Sequence, residues 1–458
     1  MTDPGDAPGA APPPSDGAAP PPSDGAAPPP SGGAARPPPD GAGGRLDWLT
    51  PSLVSAAVVS AASGMGQFAI TAVIGDVARA FGTVDAGTDL TSQIGLQATT
   101  LGIALAVIRL ASLASLPGSA IADHLGRRRV LLLALVVGLA LTGSSAFAPT
   151  FWTWVALVAL ARPWLSTVNA VSGVVAAEET SARYRSWAIG LIAATYGIGS
   201  GVISIGRSLL PEGFRPVMLA VFLPLLALPW LARTLVEPPV AARAHLAETA
   251  PALPGAVPRP HRRDLARLVA VAAGIAVATG PGFTYVFVYG ESILGLARST
   301  MALVVLAAGP VGLVGLLAGR WLSDHVGRRP CVAVGLVGTG LGFAGTYSGA
   351  VPLMFVGYLV GILAGGAIGP GLGAAAAEVF PTEVRATVAG WLAAAGVLGA
   401  VVGLAGFGIL ADATGGFGGA ARILALVPVV VTLALRRLPE TRGWELDGRP
   451  PPSPGAVA

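Results

Sequence analysis

The sequence predicts an all-α polytopic membrane protein: twelve transmembrane helices arranged as two pseudo-symmetric six-helix bundles. Three observations carry that expectation. The chain is too apolar for a water-soluble globule, its apolar stretches have helix length, and its charged motifs repeat roughly 200 residues apart. Of 458 residues, 53% are hydrophobic and 11% charged, and mean hydropathy is +0.71. Soluble domains carry about 25% charged residues, so the polar coat of a soluble fold is missing. A single helix of roughly 20 residues spans the hydrocarbon core. Lipid tolerates only helices or closed barrels, which bond their own backbone. A barrel needs alternation with period two, and none is present.

Taken in order, residues 1–50 come first and are almost entirely Pro, Gly, Ala, Ser and Asp. The octad GAAPPPSD runs from Gly9 and recurs, with substitutions, to Asp40. Such a segment cannot bury apolar surface, which predicts a disordered tail; a docking arm for a partner is the alternative. Apolar stretches then predict helices at 51–75, 92–117, 130–148, 151–176, 187–209 and 216–235. A polar linker at 236–266 follows, then helices at 267–290, 299–320, 331–349, 351–377, 387–411 and 420–437. The domains are therefore a tail (1–50), a bundle (51–235), a linker (236–266), a second bundle (267–440) and a C-terminal tail (441–458).

Arginine placement orients the chain. With the amino terminus cytoplasmic, only Arg79, Arg207, Arg215, Arg298 and Arg422 fall outside the cell, and the other connections carry their arginines inside. Both termini are expected in the cytoplasm, in a multi-pass protein of the cell membrane that works as a monomer in the bilayer. Every basic residue is Arg and none is Lys, a codon-bias signature, so the net charge of +4 does not indicate nucleic-acid binding. The single cysteine, Cys331, excludes an intrachain disulfide and a cysteine metal cluster. His124, His245, His261 and His325 all sit in polar connections, so no metal and no cofactor is expected. No nucleophile–base pair or phosphate loop falls within the bundle, which argues against an enzyme.

The repeat is the most informative feature. GSAIADHLGRRR follows the second predicted helix and GRWLSDHVGRRP the eighth, so Asp123, Arg127 and Arg128 recur as Asp324, Arg328 and Arg329. Glu178 and Arg185 recur as Glu378 and Arg385, and LVEPP around Glu237 matches LPETRG around Glu440. Two homologous halves joined by a linker are the design of many secondary transporters. At these residues, over about 51–445, the chain resembles the major facilitator superfamily. The family's Gly before the Asp stands one residue early, at Gly118 and Gly319, and His124 or His325 follows the Asp. The resemblance implies an inner gate in which Asp123 with Arg127 and Arg128, and Asp324 with Arg328 and Arg329, form contacts that break as the inner side opens. Glu178 with Arg185 and Glu378 with Arg385 would complete that clasp.

The resemblance further implies that helices 1, 4, 7 and 10 line a central cavity. The first helix carries Ser60, Ser63, Gln67 and Thr71 on one face. The fourth carries Arg162, Ser166 and Asn169, the seventh Tyr285 and Tyr289, and the tenth Tyr358. Arg109 precedes Asp123 by a helical rise of roughly 21 Å, well inside the core. A central arginine costs about 2.5–3.5 kcal/mol even on the lenient insertion scale. Because no acid lies mid-helix to neutralise Arg109 or Arg162, either a substrate anion or structural pairing must. Gln67, Arg109, Arg162, Asn169, Tyr285, Tyr289 and Tyr358 are the candidate substrate contacts, and Asp76, Glu291, Glu178 and Glu179 the candidate proton carriers. The PETRG segment resembles the exit motif of sugar and metabolite porters. The expected function is uptake of a small polar, anionic metabolite or a sugar by alternating access, coupled to protons. Efflux of amphiphiles is one alternative; a transporter-like sensor or scaffold signalling through the Pro-rich tail is the other.

Overall fold

The computed structural model describes residues 49–84, 87, 89–181, 184–237 and 261–443. The tail expected to be disordered and most of the central linker lie outside the described residues.

Among the described residues twelve principal helices follow one another. The first half contains α1 (Pro51–Phe81), α3 (Arg127–Ser144), α4 (Phe151–Glu179) and α5 (Arg185–Leu209). Its α2 is built in sequence from Ala98–Ala111, a 3-10 turn at Ser112–Ala114, and Ser115–Leu125. Its α6 combines Phe214–Ala220, a 3-10 turn at Leu223–Ala227, and Leu228–Thr234. The second half contains α7 (Arg262–Thr284), α8 (Arg298–His325), α9 (Arg328–Thr346), α10 (Val351–Val379), α11 (Thr382–Thr414) and α12 (Phe417–Leu435). Local chemistry starts these helices where the sequence changes character. The amide of Leu53 donates to Thr50 Oγ1 at 3.0 Å, and Pro51 occupies a first-turn position that needs no donor. Thr150 caps α4 in the same way, accepting from the Thr153 amide at 3.2 Å.

The two halves pack by the same rules, and small residues show it. A Cβ on Gly199 of α5 would collide with the Ala61 carbonyl of α1; a Cβ on Gly399 of α11 would collide with the Ala273 carbonyl of α7. Close backbone approach through small residues is how membrane helices associate without a hydrophobic driving force. Eleven helices among the described residues are long and apolar enough to cross a membrane. By position the twelfth is α9, whose opening Arg328-Arg329-Pro330 and interior glycines dilute its apolarity. Those glycines serve packing: Gly342 lies against the Gly361 backbone and Gly357 against that of Thr346.

At the arginine-rich ends the third repeated pair finds a structural explanation. Gly126 and Gly327, the glycines of the Gly-Arg-Arg runs, have φ of 92° and 137°, which disfavour a side chain. Their turns expose the first amides of α3 and α9 to a carboxylate. The amides of Arg127 and Arg128 donate to Glu237 at 2.6 and 3.0 Å; those of Arg328 and Arg329 donate to Glu440 at 2.8 and 3.1 Å. Each carboxylate satisfies orphan donors and meets the positive end of a helix dipole. A Cβ on Gly327 would stand 2.9 Å from Glu440. Gly327→Ala is therefore expected to destabilise the second half by about 1–3 kcal/mol. A lowered thermal midpoint in detergent would register this; an unchanged midpoint would remove the capping explanation.

Two boundaries differ from the sequence expectation with consequences for function. The first helix runs to Phe81 instead of ending near residue 75, so Asp76 lies inside it and is buried. After α7 the chain continues through Val286–Val288 into a π-helical turn, Tyr289–Ile293, which contains Glu291. A short helix, Leu90–Ile94, capped by Asp89, precedes α2.

Candidate functional site

Between the two halves lies a cavity of about 320 Å³, walled by α1, α2, α4, α7 and α11. Arg109 of α2 and Arg162 of α4 both line it. Each stands about 17 Å along its helix from the same end of the bundle, so the two guanidiniums share one depth. Neither makes an ion pair among the described residues, and the buried Nε of each has no hydrogen-bond partner. Their charges lie close enough to repel. The remaining wall is mostly apolar: Ile70, Leu105, Ile108, Phe283 and Leu404, with the hydroxyls of Thr71, Thr279 and Thr284.

The other sequence candidates lie elsewhere. Gln67 is buried between α1 and α4, where its amide donates to Ser63 Oγ at 3.1 Å and to the Leu165 carbonyl at 3.2 Å. Ser60 and Ser63 likewise donate to the Ile192 and Leu165 carbonyls, both at 2.9 Å. Of that polar stripe only Thr71 reaches the cavity. Asn169 Oδ1 is buried without a partner and is not part of the cavity wall. Tyr285 packs against Phe407 and Phe417 with its hydroxyl buried and unpartnered. Tyr289 accepts from the Gly349 amide at 2.7 Å. Tyr358 faces a small pocket of about 20 Å³ that shares Thr279 and Phe283 with the main cavity. Around the central cavity, then, the structure brings together Arg109 and Arg162 from the candidate set.

One end of the cavity is closed by charge. Arg207 of α5, 1% exposed, donates to Asp76 of α1 at 2.9 and 3.1 Å and to Glu291 at 2.5 and 2.7 Å. Arg298 at the start of α8 donates to the other Asp76 oxygen at 2.8 Å, and Arg79 reaches Ser292 at 2.8 Å. The Phe287 ring sits beneath the Arg207 guanidinium, 5.7 Å from its centroid. Alongside, Asp412 at the far end of α11 accepts from the first amides of α2, Ala98 and Thr99, at 3.1 and 2.8 Å. The Arg207–Glu291, Arg298–Asp76, Arg79–Ser292 and Asp412–Ala98/Thr99 bonds that join the two halves all belong to this closed end. Helix packing agrees: Gly102 meets Leu404 and Gly408, and Gly201 meets Leu306. The sequence flagged Asp76 and Glu291 as isolated acids; their arginine partners are far apart in the chain and carry no local signal.

At the opposite, basic end the predicted gate residues pair within each half. Arg127 forms an ion pair with Glu178, and Arg328 bridges Glu378 and Asp324, each at 2.9 Å. Arg185 donates to the Ala177 carbonyl at 2.9 Å and Arg385 to that of Phe380 at 3.0 Å. Arg128 reaches the Ala232 carbonyl at 2.5 Å and Arg329 that of Arg436 at 3.0 Å. These contacts tie the end of one helix pair to the next inside a single half. The side chain of Asp123 lies outside the described residues. Glu179, a candidate proton carrier, accepts from Thr50 at 3.0 Å and Ser52 at 2.5 Å.

Comparison with known proteins agrees with this architecture. A profile of the Major Facilitator Superfamily matches residues 56–322 and 294–456. The chain belongs to that superfamily. It is a multi-pass membrane transporter, not an enzyme. A putative metabolite transport protein of Haemophilus influenzae is 28% identical over 355 residues, covering 72% of this chain and 84% of the relative. A probable 4-methylmuconolactone transporter of Cupriavidus pinatubonensis is 24% identical over 346 residues, covering 71% and 78%. Among solved structures, a D-xylose-proton symporter superposes with a TM-score of 0.65 at 16% identity, over 87% of this chain and 99% of that one. A xylose transporter from E. coli in its inward-open conformation superposes with a TM-score of 0.64, also at 16% identity, over 86% and 98%.

Proposed function

We propose that this transporter takes up a small polar, anionic metabolite across the cytoplasmic membrane by alternating access, with protons as the coupling ion. The observation that carries the reading is the cavity itself. It lies between the two halves, is sealed at one end by the Asp76–Arg207–Glu291–Arg298 cluster, and presents two unpaired arginines. The arginine bias supports a cytoplasmic basic end; on that reading the conformation is inward-facing, and the cavity with Arg109 and Arg162 opens to the cytoplasm, the state that releases an imported substrate. Asp76 and Glu291 are the acids buried between the halves within that cluster, and a proton taking the place of an arginine there would release it. The metabolite-transporting relative and the lactone-transporting relative support a small organic substrate. The gate roles of Asp123, Asp324 and their arginines belong to the same proposal: the intra-half clasps hold each basic end rigid while the halves pivot.

Metabolite profiling tests this directly. Cells expressing the chain, compared with cells expressing the Arg109→Ala Arg162→Ala variant, should accumulate anionic compounds from the medium that the variant leaves outside. Depletion of intracellular compounds instead, or raised resistance to cationic dyes retained by the variant, would replace uptake with efflux.

A further inference from the structure

We infer that the cavity takes a small organic dianion with an apolar body, both of whose charges are held by the Arg109–Arg162 pair. The inference rests on the uptake reading above and specifies its substrate class. Guanidinium groups do not lose their proton in proteins, so the two arginines bring two positive charges into the cavity. No Asp or Glu side chain lines it. The acids of the lobe interface are engaged elsewhere: Asp76 and Glu291 are bound to Arg207 and Arg298, and Asp412 to the first amides of α2. When both ends close around a substrate, water is squeezed out and uncompensated charge becomes more costly. A neutral substrate leaves both charges facing each other, a monoanion leaves one, and a dianion leaves none. The planar fork of each guanidinium matches a carboxylate or phosphate.

The rest of the wall argues against a sugar. A polyol must find donors and acceptors for each buried hydroxyl, because an unmet one costs binding free energy. Here the wall offers no Asn, Gln, Asp or Glu side chain. Two of its three threonines, Thr279 and Thr284, already donate to the carbonyls of Ile275 and Gly280. Ile70, Leu105, Ile108 and Phe283 instead suit hydrocarbon. A cavity of about 320 Å³ sits at the small end of ligand pockets, which run from roughly 300 to 1,000 Å³. A short dicarboxylate or the phosphate monoester of a small alcohol fits that size and charge.

The test uses the purified full-length chain, both in detergent and in proteoliposomes. Five probes are compared: succinate, adipate, glycerol 3-phosphate, benzoate and xylose. Binding is read from the ligand-dependent rise of the thermal midpoint, and flux from uptake of labelled probe. At least one dianion should bind about tenfold or more tightly than benzoate, the difference one charge-assisted contact makes, and xylose should not register. Preference among adipate, succinate and glycerol 3-phosphate then separates the two sources of dianionic charge. Arg109→Gln and Arg162→Gln should each lose that preference and come to favour benzoate over the dianions, a switch that a purely structural arginine would not produce. Wild-type preference for benzoate or xylose would overturn the inference, as would Gln variants that keep the dianion preference. Arginine-independent flux of xylose would sink the dianion class and leave the carrier standing. Dianion binding without flux of any probe would keep the site and remove the carrier reading.

Discussion

Replacing Arg207 with alanine is expected to open the sealed end of the transporter. The guanidinium is almost fully buried and donates four hydrogen bonds, two to Asp76 and two to Glu291. Its removal leaves two carboxylates in a dry interface with Arg298 and Arg79 as the remaining close cations. Breaking one side of a buried ion pair costs about 3–5 kcal/mol. Asp76 and Arg207 sit in the same half, so only the lost Arg207–Glu291 bonds weigh solely on the conformation that assembles the cluster, and the population should shift toward the opposite conformation by roughly tenfold or more. A cysteine at Thr284, on the cavity wall, in a Cys331→Ala background reports the shift. Its labelling by an impermeant maleimide added from the sealed side should accelerate by a comparable factor. Adding Glu291→Gln should recover part of the loss, because Asp76 then keeps Arg298 as a balanced partner. Labelling that stays at the parental rate would show that the cluster does not hold the two halves together.

The complementary experiment fixes the same end shut. A Cβ on Gly201 of α5 would stand 3.4 Å from Leu306 Cδ1 of α8, so cysteines at the two positions lie within the span of a short bifunctional cross-linker. Cys331 is the chain's single cysteine and is buried, so a Cys331→Ala background leaves no competing thiol. Joining Gly201→Cys to Leu306→Cys with a short, cleavable thiol-reactive cross-linker should reduce flux to that of empty liposomes, and cleaving the linker should restore it. Because neither Gly201 nor Leu306 is part of the cavity wall, substrate binding from the basic end should survive. Undiminished flux with the bond formed would mean that these two helices need not separate during transport.

The helices and their pairing into halves were largely legible in the sequence. Lipid forces each span into a long apolar run, and a duplicated design leaves its charged connections duplicated too. The boundaries erred where polar residues sit inside helices. Asp76 reads as the end of α1, yet the helix continues because the acid is neutralised by arginines from α5 and α8. The polar stripe of α1 was visible but ambiguous in meaning. A helix contact and a cavity wall both demand one polar face, and only the position of Leu165 and Ile192 shows that Ser60, Ser63 and Gln67 bond to neighbouring helices. The tyrosines at 285 and 289 share a face for packing reasons, within an aromatic cluster around Phe407 and Phe417. Arg109 and Arg162 were more informative because an unneutralised charge at mid-depth has few affordable surroundings. The sealing cluster was illegible: its members come from α1, α5, the turn after α7 and α8, and no local spacing joins them. Glu237 and Glu440 were recognised as a repeated pair, but their role as helix caps depends on where the chain returns.

Rocking of the two halves about the cavity can be observed through two distances at once. Spin labels at Val84 and Ala413 report the sealed end, and labels at Leu125 and Val326 report the basic end; all four positions are exposed. Pulsed electron spin resonance on the Cys331→Ala chain, with and without adipate and across a range of pH, should reveal two populations. In one the Val84–Ala413 distance is short and Leu125–Val326 long, as in this structure's arrangement of bonds; in the other the relation is reversed. Distances that stay single under every condition, or that lengthen and shorten together, would contradict alternating access in this protein.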